Sequence, residues 1–446
     1  MRPKIAVVGA GISGLVCAYQ LQKKGADVSV FEKEALPGGR MSCLEKNGLC
    51  YDAGANFFVD NYKTLKGYCR ELGIDEKWQP LRNGQIYGFS EGEIHPLSLS
   101  LNTLIFYLRP VPFVQRLKLL YLLHSLANTP LEGTFYNLTE LTSLDQTNAY
   151  DYVLQHVGKQ AADHVIDSFT STYQFHGAKE ISLAAMVGLI REMVEHNAEF
   201  AAYQTVGGMR QIPMALAEKL NCTFNCEVHE VVSQANGVVV KSDQGDLLYD
   251  TVVLATTANV TRKILRDPTE KQIEFLSQVR YAPTIMVSFI VPEELMKDIY
   301  LVMVPFVESR KICIYSNEGV KGKHFQKEGH SVVNAALHSS YAEKIFTDSD
   351  EIIFDKVKEE LKRLCPYLKE CGSIQNHLLT RWKTAMPVFS HGYLSQVEKF
   401  LNDGQGERGV FLCGDYLNSP WTEGSARCGE RVADALYSLQ MQLPRL

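Results

Sequence analysis

The sequence predicts an α/β fold, and three features of its first 31 residues indicate it. A short apolar run, Lys4–Val8, is typical of a buried strand and leads directly into Gly9. Apolar residues then recur at helical spacing from Ile12 to Tyr19, and a second strand-like run, Asp27–Phe31, follows. A strand, a helix and a second strand in this order predict a βαβ unit at the start of a parallel sheet.

The turn between the first strand and the first helix has the sequence GAGISG, which fits the G-x-G-x-x-G pattern. In this context the pattern predicts that the free N–H groups and the dipole of the helix start bind a pyrophosphate. The second strand ends at Glu32, whose carboxylate can accept hydrogen bonds from a ribose 2′-OH and would repel a 2′-phosphate. The candidate residues of the turn are Gly9, Gly11, Ile12, Ser13 and Gly14.

A second match to the same pattern, GQGERG at Gly404–Gly409, lies in a different context. The residues before it, Gln396–Asp403, are typical of a polar helix end, and the residues after it, Val410–Cys413, are typical of a strand. This order is helix, loop and strand. We therefore expect these glycines to form a turn and to bind no phosphate.

Composition limits the possible partners. The chain has 446 residues, which favours two domains, and its 45 basic and 51 acidic residues give a net charge of −6 without a dense basic run. We therefore expect no nucleic-acid partner.

Two observations concern the cellular compartment. The 11 cysteines are an odd number without a regular spacing, and the first strand begins too early for a signal peptide. Both observations predict a cytoplasmic protein without disulfides.

The most apolar segment is Leu97–Ala127. It is interrupted by Pro110 and Pro112 and carries Arg116 and Lys118 in its second half, so we expect that it does not span a bilayer. Two interpretations stay open, a pair of buried helices or a surface that rests on a membrane and collects an apolar substrate.

The order of the predicted elements indicates a discontinuous Rossmann-type domain interleaved with a mixed α+β domain. The first would comprise residues 1–80, 205–265 and 381–446, and the second residues 81–204 and 266–380 with a helical subdomain. Predicted helices are Asp151–Val157, Ala161–Phe169, Ser182–Glu195 and Glu351–Cys365. Predicted strands are Cys222–Val232, Gly237–Lys241, Leu247–Leu254, Thr284–Ile290 and Ile312–Tyr315.

Four further motifs follow the glycine turn in order: LPGGRM at Leu36–Met41, YDAGAN at Tyr51–Asn56, GVFLCGDY at Gly409–Tyr416 and TEGSA at Thr422–Ala426. Together with the turn, they resemble the FAD-dependent amine oxidase superfamily, which includes protoporphyrinogen oxidases, carotenoid desaturases and monoamine oxidases. The motifs cover nearly the whole chain. The resemblance implies an FAD enzyme and leaves its substrate open.

The second glycine pair, Gly38 and Gly39, lets the backbone approach a ligand, and the guanidinium of Arg40 suits a pyrophosphate. Asp415 follows a strand and could accept hydrogen bonds from ribityl hydroxyls. The resemblance implies that Val228 contacts the adenine through its backbone. It further implies that Gly54 and Ala55 lie beside the flavin ring, with Asn56, Gly414, Thr422, Gly424 and Ala426 completing the site. The helix that starts near Glu423 would direct its N–H groups at the flavin C2 carbonyl.

Two departures from the superfamily pattern bear on the chemistry. The strand segment Thr284–Ser288 has no lysine, whereas amine oxidases usually carry one there, which disfavours amine oxidation. No cysteine lies between Cys371 and Cys413, where monoamine oxidases attach their flavin, which predicts non-covalent FAD. Trp421 and Trp382 are candidates for the substrate cavity, and Trp421 could equally be packed between a helix and a loop.

Other candidate sites are weaker. Cys222, Cys226 and His229 have a spacing that suggests zinc, but on a strand His229 would face away from the cysteines, so we expect no metal site. His164 and His176 fall among the predicted helices of residues 97–200 and receive no role.

The expected function is hydride transfer from a bulky, rather apolar small molecule to flavin N5, with oxygen or a quinone as electron acceptor. The alternatives are an amine or amino-acid oxidase and a flavin-binding protein without turnover. NAD in place of FAD is opposed by the motifs at Gly38–Arg40 and Gly414–Asp415. A peripheral membrane contact stays open.

Overall fold

The computed structural model describes residues 2–59, 61–81, 85–96, 110–128, 137–195, 202–296, 298–369 and 371–442. Its strands are β1 Lys4–Val8, β2 Asp27–Phe31, β3 Cys43–Lys46, β4 Leu49–Asp52, β5 Phe58–Val59, β6 Trp78–Pro80, β7 Gln85–Ser90, β8 Glu93–Pro96, β9 Ala202–Thr205, β10 Asn221–Thr223, β11 Val228–Gln234, β12 Gly237–Ser242, β13 Gly245–Tyr249, β14 Thr251–Leu254, β15 Tyr281–Pro292, β16 Ile299–Met303, β17 Ile312–Asn317, β18 Gln326–Lys327, β19 His330–Leu337, β20 Gln375–Pro387 and β21 Val410–Leu412. Its longer helices are α1 Ile12–Lys23, α2 Lys63–Glu71, α3 Phe113–Ala127, α4 Ala149–His156, α5 Ser168–Gln174, α6 Leu183–Glu195, α7 Gln211–Ala217, α8 Ala258–Ile264, α9 Glu270–Gln278, α10 Ser339–Ile345, α11 Asp350–Leu364, α12 Tyr393–Asp403 and α13 Thr422–Gln442.

A parallel sheet of five strands, in the order β10-β2-β1-β14-β21, confirms the predicted βαβ opening. Its strands come from three separated parts of the chain, and β1 and β2 have the bounds that the sequence predicts. Helices α1 and α13 pack together beside this sheet. A Cβ at Gly429 would lie 2.4 Å from the carbonyl oxygen of Ser13, so a glycine allows this close packing of the two helices.

A second, larger sheet has the order β20-β15-β19-β17-β16-β7-β8, with β18 paired to β19. Its pairs are antiparallel except for β16 with β7. Residues of α10 and α11 form one apolar core with it. On another part of this sheet, Met286, Ala336 and Ile314 lie side by side on neighbouring strands. These three side chains line the cavity described below.

The helical block comprises the helices between β8 and β9, which include α3, α4, α5 and α6. The predicted helix Ala161–Phe169 contains a π-helical stretch, Ala162–Asp167, before α5 begins. Asn148 caps α4 by accepting a hydrogen bond from the N–H of Asp151 at 3.1 Å. Of the apolar segment, α3 is described, and residues 97–109 lie outside the described residues. Within the described ranges, none of the helices has the length and low polarity needed to traverse a bilayer.

Two predicted strands are wrong in their continuity. The prediction of one strand over Cys222–Val232 fails because β10 belongs to the parallel sheet and β11 to a three-stranded antiparallel sheet. Asn225 between them has a φ of 51°, which ends the extended conformation. The segment Leu247–Leu254 likewise contains the end of β13 and all of β14, which lie in different sheets. An apolar pattern of period two continues through such a change of sheet, so the sequence does not reveal it.

The second glycine-rich match has the predicted context. Helix α12 ends at Asp403, and β21 begins at Val410. Gly406 and Gly409 have φ values of 84° and 75°, which favour glycine in a turn. Neither residue lines the cavity described below.

Candidate functional site

A cavity of about 810 Å³ opens at the carboxyl ends of the parallel strands and extends to the larger sheet. The residues that follow four of these strands line it: Gly9 after β1, Glu32 after β2, Ala255 after β14 and Asp415 near the end of β21. In open α/β sheets, ligands bind at this edge. The volume is in the range of cofactor and substrate sites.

The first glycine turn can close only because Gly9 and Gly14 have no side chain. Gly9 has a φ of 105°, and a Cβ on Gly14 would lie 2.1 Å from the carbonyl oxygen of Gly9. A Cβ on Gly11 would meet no described atom within 4 Å. Helix α1 begins directly after Gly11, without a side-chain cap and without an acidic residue in its first turn. Its first N–H groups are therefore suited to an anion at the cavity wall.

The second glycine pair lies against the first turn. The N–H of Gly38 donates to the carbonyl oxygen of Ala10 at 2.9 Å, and Gly38 forms a parallel bridge with Gly11. A Cβ on Gly39 would lie 3.7 Å from the Cα of Gly11. The two glycine-rich segments thus form one continuous wall of backbone.

The carboxylate of Glu32 is held by the backbone at this wall. Its Oε2 accepts from the N–H of Ala10 at 2.7 Å, and its Oε1 accepts from the N–H of Glu34 at 3.0 Å. A carboxylate can accept about four hydrogen bonds, so Glu32 can accept more from a ligand. Val228 lines the same end of the cavity.

Arg40 and Asp415 pair with each other. The Nη1 of Arg40 donates to the Oδ2 of Asp415 at 2.7 Å and to the carbonyl oxygen of Ala385 at 2.9 Å, and its Nη2 donates to the Oδ1 of Asp415 at 3.0 Å. Burial opposes the charge on Arg40, but the carboxylate of Asp415 raises its pKa. The sequence predicts separate contacts for these two residues, and the structure brings them together.

The segment Ala53–Asn56 forms the next part of the wall. A Cβ on Gly54 would lie 2.2 Å from the carbonyl oxygen of Arg40, so this close approach requires glycine. Ala55 donates its N–H to the same oxygen at 2.8 Å. The Nε1 of Trp382 donates to the carbonyl oxygen of Ala53 at 2.5 Å, which fixes the indole at the cavity.

A second helix start also meets the cavity. Helix α13 begins at Thr422, and Trp421, Thr422 and Ser425 line the cavity. The Oγ1 of Thr422 is buried and has no hydrogen-bond partner among the described residues. Glu423 instead accepts from the N–H groups of Thr64 and Leu65 at 2.7 and 3.0 Å, and so caps α2.

Four of the residues predicted for the site lie behind the residues that line it: Gly14, Gly414, Gly424 and Ala426. Their contacts concern the shape of the backbone. A Cβ on Gly424 would lie 1.8 Å from the Oγ of Ser419, and one on Gly414 would lie 2.7 Å from the ring of Tyr416. Ala426 is completely buried in the core.

The larger sheet and the helical block line the opposite end of the cavity. They contribute Phe169, Thr172, Tyr173, Phe175, Leu189, Met286, Ile314, Tyr315, Ser316, Asn334, Ala336, Thr380, Trp382, Thr384, Ala385 and Met386. Among these described residues there is no charged side chain. Met286 lies on β15 within the segment where amine oxidases usually carry a lysine, and it faces the cavity.

Sequence reasoning missed a group of buried charged side chains next to the segment Ala53–Asn56. This group, the Lys321 cluster, consists of Asp52, Asn56, Glu318 and Lys321. The Nζ of Lys321 donates to the Oδ2 of Asp52 at 2.9 Å, and also to the Oδ1 of Asn56 and the Oε2 of Glu318. Burial opposes the charge on Lys321, but the two carboxylates raise its pKa. No motif surrounds Lys321 or Glu318, so the sequence offered no signal for this cluster.

Of the three residues considered for zinc, Cys226 lines the cavity, whereas Cys222 and His229 do not. His229 is exposed and pairs with Asp243 at 2.7 Å. His164 and His176 do not line the cavity, and burial lowers the pKa of His176 to about 4. Within the part of the chain that the structure describes, no group of three metal-ligating side chains is close enough to hold an ion.

Comparison with known proteins extends these observations. Residues 12–437 match the family model described as flavin containing amine oxidoreductase. Protoporphyrinogen oxidase 2, chloroplastic/mitochondrial, of Arabidopsis thaliana is 21% identical over 505 residues, covering 98% of this chain and 94% of that protein. A 4,4'-diapophytoene desaturase (4,4'-diaponeurosporene-forming) of Staphylococcus aureus strain MRSA252 is 26% identical over 270 residues, covering 54% and 53%. The structure of cyclohexylamine oxidase from Brevibacterium oxydans IH-35A superposes with a TM-score of 0.77 at 16% identity, covering 99% and 100%, which shows a common fold.

Proposed function

The chain belongs to the family of flavin-containing amine oxidoreductases and is an FAD-dependent oxidoreductase, and from this premise we propose that it oxidises a bulky, neutral and largely apolar small molecule. FAD, when bound, supplies the acceptor for a hydride at its N5 position. Oxygen or a quinone then serves as the final electron acceptor. One observation supports this choice of substrate. The described residues that line the end of the cavity formed by the larger sheet and the helical block include no charged side chain.

The described residues fit an FAD held without a covalent bond. Two helix starts, those of α1 and α13, meet one cavity, and each offers free N–H groups to negative charge. We assign the pyrophosphate to the start of α1 and to Arg40, the ribose to Glu32 and the adenine to Val228. Gly54 and Ala55 then lie beside the ring, and Asp415 accepts from the ribityl hydroxyls. Cys413 is completely buried and does not line the cavity.

The lack of charged side chains among the described residues at this end of the cavity limits which substrates can bind there. An ionised amine or carboxylate would lose its hydration at this end and would find no countercharge among the described residues that line it. A neutral apolar molecule loses no such hydration and gains from contact with Met286, Ile314 and the aromatic rings. A polyene, a neutral ring system or another bulky hydrocarbon-like molecule therefore fits best.

A second candidate function is amine oxidation. It is favoured by aromatic side chains that line the cavity, since Trp382 and Trp421 could stabilise a cation through their ring faces. Against it stands the segment Thr284–Ser288, which has no lysine although amine oxidases usually carry one there. A panel of amines and amino acids, tested for peroxide release, separates the two functions, because only the second predicts a signal.

Two measurements test the proposal. The purified protein should show oxidised-flavin absorption, and heating should release all of it as FAD that chromatography identifies. Anaerobic mixing with a neutral polyene or ring compound should then bleach the absorption, and an ionised analogue of equal size should not. A colourless protein that cannot be reconstituted with FAD would contradict the assignment of the cofactor site. A flavin that no donor bleaches would favour the alternative of a flavin-binding protein without turnover.

We keep the predicted domain division with one change. The FAD-binding domain would comprise residues 1–80 and 205–265 and a third segment that begins after Pro387, because β20 runs to Pro387 as part of the larger sheet. The substrate domain would comprise residues 81–204 and 266–387. All five strands of the parallel sheet fall in the first domain under this division.

Replacing Arg40 by alanine should weaken FAD binding about tenfold or more, because a charge-assisted contact to the pyrophosphate is lost and Asp415 is left as an unpaired negative charge. Titration of the apoprotein with FAD measures this. Arg266→Ala is the matched control, because Arg266 is exposed and pairs with Glu230, and neither residue lines the cavity. Equal FAD affinity in the two variants would show that Arg40 has no pyrophosphate role.

We also propose a peripheral contact of α3 with an anionic membrane surface. This helix exposes Phe113, Val114, Leu117 and Tyr121, with exposed fractions of 59%, 63%, 48% and 77%. It carries Arg116 and Lys118 and no acidic residue. An exposed apolar face flanked by basic residues is typical of helices that lie in a membrane interface.

The double variant Val114→Glu, Tyr121→Glu should therefore bind vesicles that contain anionic lipid much more weakly than the wild type, since two charges would enter the apolar layer. Co-sedimentation with phosphatidylserine vesicles measures the bound fraction. Ile273→Glu is the control, because Ile273 is an exposed apolar residue on α9. If neither the wild type nor the double variant binds vesicles, or if the two bind equally, the proposed membrane contact is wrong.

A further inference from the structure

The charged side chains of the Lys321 cluster are buried, and the ammonium group of Lys321 is fully hydrogen-bonded. The side chains of Lys321 and Glu318 have no exposed surface, and that of Asp52 is 2% exposed. The three N–H bonds of Lys321 match its three partners, which are Asp52, Asn56 and Glu318. A buried cation is stable only with such complete pairing.

The amide of Asn56 is fixed in one orientation by this cluster. Its Oδ1 accepts from Lys321 and from the hydroxyl of Tyr300 at 3.2 Å, while its Nδ2 donates to the Oε1 of Glu318 at 3.1 Å. A rotated amide would place two donors against Lys321 and Tyr300. Because Asn56 also lines the cavity directly after Gly54 and Ala55, the cluster holds this wall from behind.

The cluster carries a surplus negative charge. The Oε1 of Glu318 accepts from Ser316 and Asn56, and the Oδ1 of Asp52 accepts from the N–H of Met209 at 3.0 Å. The described hydrogen bonds to the two carboxylates all come from N–H or O–H groups, which suits acceptors without a proton of their own. One ammonium with two carboxylates gives a net charge of −1. Two residues that line the cavity, Asn56 and Ser316, donate hydrogen bonds directly to Glu318.

We propose that Lys321 is a positioning residue for the cofactor, and that the surplus charge of its cluster lowers the reduction potential of the flavin. The proposal rests on the proposed function, in which the ring lies beside Gly54 and Ala55. Lys321 keeps this wall in place through Asp52 and Asn56. Reduction adds negative charge to the ring, so a buried negative charge nearby disfavours it. Neither Lys321 nor Glu318 touches the cavity.

Two matched pairs of variants test this. Glu318→Gln keeps the size of the side chain and removes the surplus charge, and Lys321→Met removes the positioning cation. Glu274→Gln and Lys399→Met make the same chemical changes in an exposed ion pair, neither member of which lines the cavity. For each variant, FAD affinity is measured by titration of the apoprotein, and the midpoint potential by equilibration with a reference dye.

We expect Glu318→Gln to have a more positive potential than the wild type at nearly unchanged FAD affinity, and Lys321→Met to bind FAD about tenfold more weakly or worse. The two controls should match the wild type. If Lys321→Met does not fold, Asn56→Ala takes its place, since it removes the link to the wall and leaves the three charges paired. A purely structural cluster would leave the potential of Glu318→Gln at the wild-type value, which overturns the electrostatic part of the proposal. Wild-type FAD affinity in Lys321→Met, or in Asn56→Ala, overturns the positioning part, and a wild type that binds no FAD overturns the proposed function itself.

Discussion

Replacing Gly14 by alanine should reduce FAD affinity by about 100-fold and destabilise the fold by about 1–3 kcal/mol. The added Cβ would lie 2.1 Å from the carbonyl oxygen of Gly9 and 2.8 Å from the Cβ of Ala255. Both neighbours belong to the parallel sheet or to the turn directly after it and cannot rotate away. The start of α1 must therefore move, and with it the N–H groups that we assign to the pyrophosphate.

FAD titration of the apoprotein and thermal unfolding measure the two effects of Gly14→Ala separately. Gly67→Ala is the matched control, because Gly67 lies within α2 and a Cβ there would meet no described atom within 4 Å. This control should bind FAD with the affinity of the wild type. It should unfold at a slightly higher temperature, because alanine is favoured over glycine inside a helix by about 0.5–1 kcal/mol. An FAD affinity of Gly14→Ala equal to that of the control would contradict the assignment of the turn.

The parts of the fold that the sequence predicts well are local. The strand, the glycine turn and the helix at Lys4–Lys23 follow from the spacing of apolar residues and from glycines in the pattern that such a turn requires. The ordered motifs place the chain in its family, and the match over residues 12–437 confirms this. In contrast, β13 and β14 are separated by one residue and join different sheets. Strand β13 pairs with the preceding strand β12, whereas β14 pairs with β1 and β21, which are distant in sequence. No local pattern contains that information.

The same distinction holds in the site. The sequence identifies Arg40 and Asp415 as charged residues of two motifs, but their bidentate pairing joins positions 375 residues apart. Lys321 shows the limit more clearly. Its partner Asp52 is 269 residues away, and a lysine in a polar stretch with other lysines nearby is usually an exposed residue. Only the fold shows that this one is buried and that it closes a charge cluster.

Replacing Lys321 by methionine should therefore lower the free energy of unfolding by about 3–5 kcal/mol, because it leaves two buried carboxylates without their cation. Chemical denaturation at neutral pH measures the loss. Lys399→Met, which breaks an exposed ion pair, should cost about 0–1 kcal/mol. The triple variant Lys321→Met, Asp52→Asn, Glu318→Gln should recover most of the stability, since the desolvation cost of the carboxylates disappears with their charges. If the triple variant were as unstable as the single one, the loss would come from packing of the lysine stem, and the charge balance that we assign to the cluster would be wrong.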